Sequence, residues 1–125
     1  MKLYIAAHSQ EDARDAARKL EAAGHVITAR WLNEDFSRTA KYAEDERRVI
    51  AASDVFDVRT ADALVLLASP TRVPGGKFVE AGVAIGCEKP VYAIGHRENM
   101  LMWHPSVSLF SSVEDLVTDL KMKGT

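Results

Sequence analysis

The sequence predicts an α/β domain of three layers, with a parallel sheet of four to five strands between two layers of helices. Short apolar runs alternate with segments of helical spacing in the order βαβαβαβ(β)α, and such alternation implies parallel strands joined by crossover helices. The third apolar run, Ala63 to Ala68, is almost unbroken, as in a strand covered on both faces. A chain of 125 residues fills one domain, residues 1–125, and is too short for two.

Leu3 to Ala7 reads as the first buried strand. Ser9 offers an N-cap, with Asp12 three residues on, to a helix whose Ala13, Ala16, Ala17 and Leu20 share one face and which Gly24 ends. Val26 to Trp31 is the second strand, and residues 33–40 form a polar loop. Helical spacing resumes from about Lys41 to Thr60, with Tyr42, Val49, Ile50 and Val58 as its larger apolar residues. After the third strand, two prolines and two glycines make Ser69 to Gly76 a loop. Phe78 to Ile85 is helical, Pro90 to Ile94 is the fourth strand, and His96 to Pro105 is a loop or one helical turn. Val107 to Phe110 is a short fifth strand, and Ser112 caps a last helix in which Val113, Leu116, Val117 and Leu120 share one face.

A net charge of −2 gives no electrostatic support to a nucleic-acid-coating role. The single cysteine, Cys87, excludes an internal disulfide, argues against a Cys-based zinc site, and reads as a buried small apolar residue. His96 and His104 lack a third ligand at metal spacing and read as polar loop residues, so no metal or cofactor is expected. Without a signal-peptide pattern or a long apolar span, a cytoplasmic protein with no membrane partner is the expectation.

Ligands of open parallel sheets bind beyond the carboxyl ends of the strands, so the loops after Ala7, Trp31, Ala68 and Ile94 matter most. Pro74-Gly75-Gly76-Lys77-Phe78-Val79-Glu80-Ala81-Gly82 falls there. Gly75 and Gly76 let the backbone approach a ligand closely, and a helix N-terminus favours anions. Glu80, placed on the first turn, would be held ionised by the helix dipole, as a glycosyl nucleophile needs. Spacing alone leaves open a solvated glutamate that only complements the dipole. Glycosidic chemistry uses a second carboxyl group, for which Asp54, Asp57 and Asp62 are candidates. Tyr4 lies in the first strand; His8 follows it at the mouth, where it is a hydrogen-bonding group or an exposed loop residue. Trp31 either stacks on a base or closes the core.

At these residues the chain resembles the nucleoside 2-deoxyribosyltransferase family, which includes 2′-deoxynucleoside 5′-monophosphate N-hydrolases. The blocks are Leu3-Tyr4-Ile5-Ala6, then Asp54 through Thr60-Ala61-Asp62, then Gly76-Lys77-Phe78-Val79-Glu80-Ala81-Gly82 continuing to Lys89-Pro90-Val91. The resemblance implies a flavodoxin-like, Rossmann-like sheet and cleavage of an N-glycosidic bond, with transfer of the deoxyribosyl group to another base as the leading reading. Hydrolysis of a deoxynucleoside monophosphate is the alternative. It makes Glu80 the nucleophile of a covalent intermediate, Asp54 the group that helps protonate the leaving base, and Tyr4 the residue that orients Glu80. It also implies a homodimer or larger homo-oligomer in which a neighbour's Asn touches the sugar 5′ end; Asn99 resembles that residue.

The chain departs from the pattern at Pro74, where transferases carry an acidic residue and the monophosphate hydrolases a serine. Lys77 and Arg72 nearby favour a phosphate, whereas Asn99 fits a 5′-hydroxyl, so the 5′ substituent stays open. Two other classes compete. A non-catalytic nucleotide-binding module has no use for two carboxylates beside an anionic ligand. A receiver-type signalling domain needs acidic residues where this chain has Ala7-His8-Ser9 and Ala68.

Overall fold

A computed structural model describes residues 1–35 and 42–125. Its elements are β1 (Lys2–Ala6), α1 (Gln10–Ala22), β2 (Val26–Ile27), a 3-10 helix (Arg30–Asn33), α2 (Glu44–Thr60), β3 (Ala63–Leu67) and α3 (Gly76–Gly86). They continue with β4 (Val91–Ile94), a second 3-10 helix (Met100–Trp103), β5 (Val107–Phe110) and α4 (Val113–Met122). The five strands are all parallel, in the order β2-β1-β3-β4-β5. Helices α1 and α4 pack together on one face and α2 and α3 on the other. This is the expected three-layer, flavodoxin-like arrangement, and its topological switch point lies between β1 and β3.

The core follows the apolar runs. Leu3, Tyr4, Ile5, Ala6, Ala63, Leu64, Val65 and Val91 are fully buried, as strands covered on both faces require. On α1 the expected face, Ala13, Ala16, Ala17 and Leu20, packs inward, and the Ser9 side chain accepts from the Asp12 backbone as an N-cap. Ser112 caps α4 the same way, through the Asp115 backbone.

Four expectations need correction. The second strand ends at Ile27, and Trp31 sits on the 3-10 helix instead. The cause is local. Gln10 Nε2 lies 3.0, 3.1 and 2.9 Å from the carbonyls of Trp31, Leu32 and Glu34, and Arg14 Nε donates to Leu32 at 2.8 Å. These donors pull the chain off the sheet edge. Secondly, Tyr42 and Ala43 precede α2, whose start is set by the Glu46 carboxylate accepting from Ala43 N at 3.2 Å; Lys41 and most of the expected 33–40 loop lie outside the described residues. Thirdly, the helix expected over Phe78 to Ile85 runs from Gly76 to Gly86, with Gly75 as its N-cap. Fourthly, Cys87 is exposed, because α3 ends at Gly86 and its last buried residue is Ala84.

Gly95 joins β4 to the loop that carries Asn99, with φ +109° and its amide donating to Phe110 O at 2.9 Å. A Cβ there would lie 3.1 Å from the Ala68 Cβ. Gly95→Ala therefore meets both a disfavoured dihedral and a tight contact, and is expected to lower unfolding free energy by about 2 kcal/mol. Urea unfolding with an unchanged slope but a lower midpoint is the expected result; an unchanged midpoint would refute it.

Candidate active site

Beyond the carboxyl ends of β1 and β3 lies a cavity of about 470 Å³. The end of β1 contributes Ala7 and His8, and the first 3-10 helix contributes Trp31. From α2 come Ala51, Asp54 and Val55; Pro74 and the start of α3, with Gly76, Lys77, Val79 and Glu80, complete the wall. The size suits a small organic ligand, and apolar walls with a few convergent polar groups are the usual composition of such sites.

Glu80 is reached through the switch point. Tyr4 is buried in the centre of β1, and its hydroxyl donates to Glu80 Oε2. Burial, then the adjacent Glu80 charge, pushes the Tyr4 phenol far above its ordinary range, so it stays a donor. Burial also raises Glu80 to about 7; the Tyr4 hydrogen bond opposes that rise and the Asp54 charge adds to it. The expectation of a dipole-stabilised anion is thus corrected. With α3 beginning at Gly76, Glu80 falls past the first turn, where the dipole has faded and desolvation dominates. Asp54 is raised to about 6, chiefly by burial, with Asp57 and Glu34 adding and Arg30 opposing.

The structure separates the three candidate aspartates. Asp54 alone of them lines the cavity. Asp57 is buried and accepts from Arg30 N at 3.1 Å and Arg30 Nε at 3.0 Å, anchoring the 3-10 helix that carries Trp31. Asp62 accepts from Lys2 N at 2.7 Å, at the opposite, amino end of the sheet. Trp31 both borders the cavity and belongs to the core, its Nε1 donating to Ile5 O at 2.8 Å. Gly75 caps α3 from just outside the lining residues, and Gly76 is part of the wall. A Cβ at either glycine would meet nothing within 4 Å, so no packing inside the chain demands them.

Asn99 is not brought to Glu80. It borders a second cavity with Ser69, Arg72, Phe78, His96 and Glu98, and its Oδ1 accepts from Leu101 N at 3.0 Å. Arg72 lies on that second cavity as well, and the Lys77 ammonium is held by Leu67 O, Ser69 Oγ and Glu98, so neither places its charge toward Glu80. Sequence reasoning missed Gln10, Arg30 and Glu98. Each acts through a contact 20 or more residues away, which no local pattern announces. Among the described residues no cluster of three or more His, Cys, Asp or Glu is placed to hold a metal ion, and no helix is long and apolar enough to cross a membrane.

Solved structures share this fold across nearly the whole chain. A 2-deoxyribosyltransferase from Bacillus psychrosaccharolyticus superimposes with a TM-score of 0.73 at 19% identity, covering 94% of this chain and 90% of that one. A CMP N-glycosidase from Clostridium botulinum gives 0.60 at 13% identity, covering 98% and 99%. A conserved protein from Enterococcus faecalis V583 gives 0.67 at 23% identity, covering 98% of each chain. No curated protein sequence matches significantly. The sequence profile of the nucleoside 2-deoxyribosyltransferases, however, matches residues 3–120, and the chain therefore belongs to that enzyme family, whose chemistry is at the N-glycosidic bond of nucleosides.

Proposed function

We propose that the protein cleaves the N-glycosidic bond of a 2′-deoxynucleoside through a covalent glycosyl-Glu80 intermediate and transfers the deoxyribosyl group to another base. The observation that carries this reading is one cavity lined by Glu80 and Asp54, with Tyr4 hydrogen-bonded to Glu80 from beneath. A Glu80 oxygen attacks C1′ as the C1′–N bond breaks, and the Asp54 carboxylic acid gives its proton to the departing base nitrogen. A nitrogen of the incoming base then attacks C1′ of the glycosyl ester, Glu80 leaves as carboxylate, and the proton returns to Asp54. Trp31 and His8 are placed to contact the base or sugar. Gly76 offers backbone to the ligand, with Gly75 shaping the turn before it.

A 5′-hydroxyl fits better than a phosphate. Among the described residues lining the cavity the one lysine or arginine is Lys77, whose ammonium is already held by three partners. The first test is incubation with each of the four common 2′-deoxynucleosides and their 5′-monophosphates, with and without a second free base. Exchanged nucleoside supports transfer. Free base alone means hydrolysis, and no turnover of any substrate removes the reading.

The site is proposed to be shared between copies of the chain. Asn99 lines a cavity other than the one that holds its own Glu80, and Met100, Leu101 and Trp103 beside it are 81%, 73% and 67% exposed, an apolar surface suited to a second subunit. With Oδ1 capping Leu101, the Asn99 amide nitrogen remains to donate to a sugar hydroxyl in the neighbour's site. Mixing inactive Glu80→Gln with weakened Asn99→Ala subunits should restore part of the activity, because hybrids contain one intact site. A mixture no more active than the sum of its parts would contradict sharing.

A further inference from the structure

Lys77 and Glu98 form a buried ion pair that the reaction above does not use. The two side chains are 1% and 10% exposed, with Lys77 Nζ 2.8 Å from Glu98 Oε1 and 2.9 Å from Oε2. The ammonium also donates to Leu67 O and Ser69 Oγ, both at 3.0 Å, and Ser69 N donates to Glu98 Oε2 at 3.3 Å. Every donor of the ammonium is therefore engaged. The pair ties together the end of β3, the first turn of α3 and the loop after β4. These are three of the segments that meet at the carboxyl edge of the sheet.

Buried ion pairs of this kind seldom add net stability over apolar residues of similar volume, and their best-attested use is to fix one arrangement of the elements they join. Here the fixed element is the start of α3, one turn before Glu80. The pair's other end is the residue before Asn99. Arg97, one position earlier, adds to the order of that segment by donating to Met102 O at 2.6 Å and lying 4.6 Å from the Trp103 ring centre.

We infer that Lys77 is a positioning residue: its bridge to Glu98 and Ser69 sets the register of α3, so that the Glu80 carboxylate meets the Tyr4 hydroxyl and points into the cavity. This rests on Glu80 as nucleophile. If the site is shared, the same bridge links one subunit's nucleophile to the Asn99 it lends its neighbour.

The test uses Lys77→Met/Glu98→Gln, which removes both charges together and keeps similar volumes. The groups that face Glu80 are otherwise unchanged: Tyr4 from β1, Asp54 from α2 with Asp57, Glu34 and Arg30 beyond it, and His8 on the cavity wall. Three readouts are taken: thermal unfolding, kcat and KM on whichever common 2′-deoxynucleoside the wild type turns over fastest, and carbon-13 NMR titration of the Glu80 carboxyl. The last needs no substrate, so it separates failure of the positioning role from failure of the proposed reaction.

A cooperatively folded variant is expected, with kcat reduced about tenfold or more and KM little changed. The Glu80 titration should move up by about half a pH unit or more as the Tyr4 bond that holds it down loosens. Ser69→Ala, which leaves the ion pair but removes one acceptor, should move both in the same direction by less. A folded double variant with wild-type kcat and an unmoved Glu80 titration overturns the inference. If the double variant does not fold, an unmoved titration in Ser69→Ala does so.

Discussion

Glu80→Gln is expected to abolish turnover and, above neutral pH, to make the protein more stable. The loss follows from chemistry, since an amide cannot form the glycosyl ester; removal of a covalent nucleophile lowers kcat by about 10³-fold or more. The gain follows from linkage. Glu80 is raised from 4.5 to about 7 in the folded protein, chiefly by burial. A carboxyl group whose folded pKa lies above its unfolded value binds its proton more tightly when folded. The protein is therefore unpenalised below the unfolded pKa, loses stability as pH rises between the two values, and carries the full penalty above the folded one. The interval corresponds to about 3 kcal/mol as an upper bound, because glutamine also alters the Tyr4 hydrogen bond. Urea unfolding of both proteins should agree near pH 4.5 and diverge by pH 8, with the variant the more stable. An equal difference at both pH values would show that the carboxyl is not perturbed as its surroundings imply. Residual turnover near wild type would dismiss Glu80 as nucleophile.

That a catalytic reading was reachable from the sequence at all comes from local order. The strands are short apolar runs whose burial is dictated by their own composition, and the loop at Pro74–Gly76 announces the start of α3. The sheet order and the cluster of Tyr4, Asp54 and Glu80 then follow from topology. What could not be read has a common cause. Trp31 leaves the sheet because Gln10, Arg14 and Asp57 hold its neighbours, and those partners come from α1 and α2. Lys77 looks like a free cation beside a glycine pair, but folding brings Glu98 onto it. The ionisation of Glu80 departs from the sequence expectation for a related reason: the dipole is a property of one helix, whereas the desolvation that outweighs it comes from burial in the folded chain. The Thr60-Ala61-Asp62 block, suggestive beside Asp54, proves to be a staple. Thr60 bonds to Asp57 O, and Asp62 bonds the start of β1.

Asp54→Asn carries the second large expected effect, and its signature is a change of pH profile as well as of rate. Glu80 must be ionised to attack and Asp54 protonated to release the base. With Glu80 at about 7 and Asp54 at about 6, kcat/KM should rise and then fall around a maximum between those values, both limbs belonging to the interacting pair. Asparagine has no proton to give, so turnover of an ordinary deoxynucleoside should fall by about 10²- to 10⁴-fold. The descending limb should disappear. The ascending limb should persist but now report Glu80 alone, breaking above the wild-type limb, which the lower Asp54 value sets, and below about 7, because the Asp54 charge that opposes Glu80 ionisation is gone. A 2-deoxyribosyl substrate whose leaving group departs without protonation, such as a nitrophenolate, should escape most of the loss. This is the arm that distinguishes proton donation from support. If the activated substrate slows as much as the nucleoside, Asp54 only shapes the pocket, and the proton must come from another group or from water.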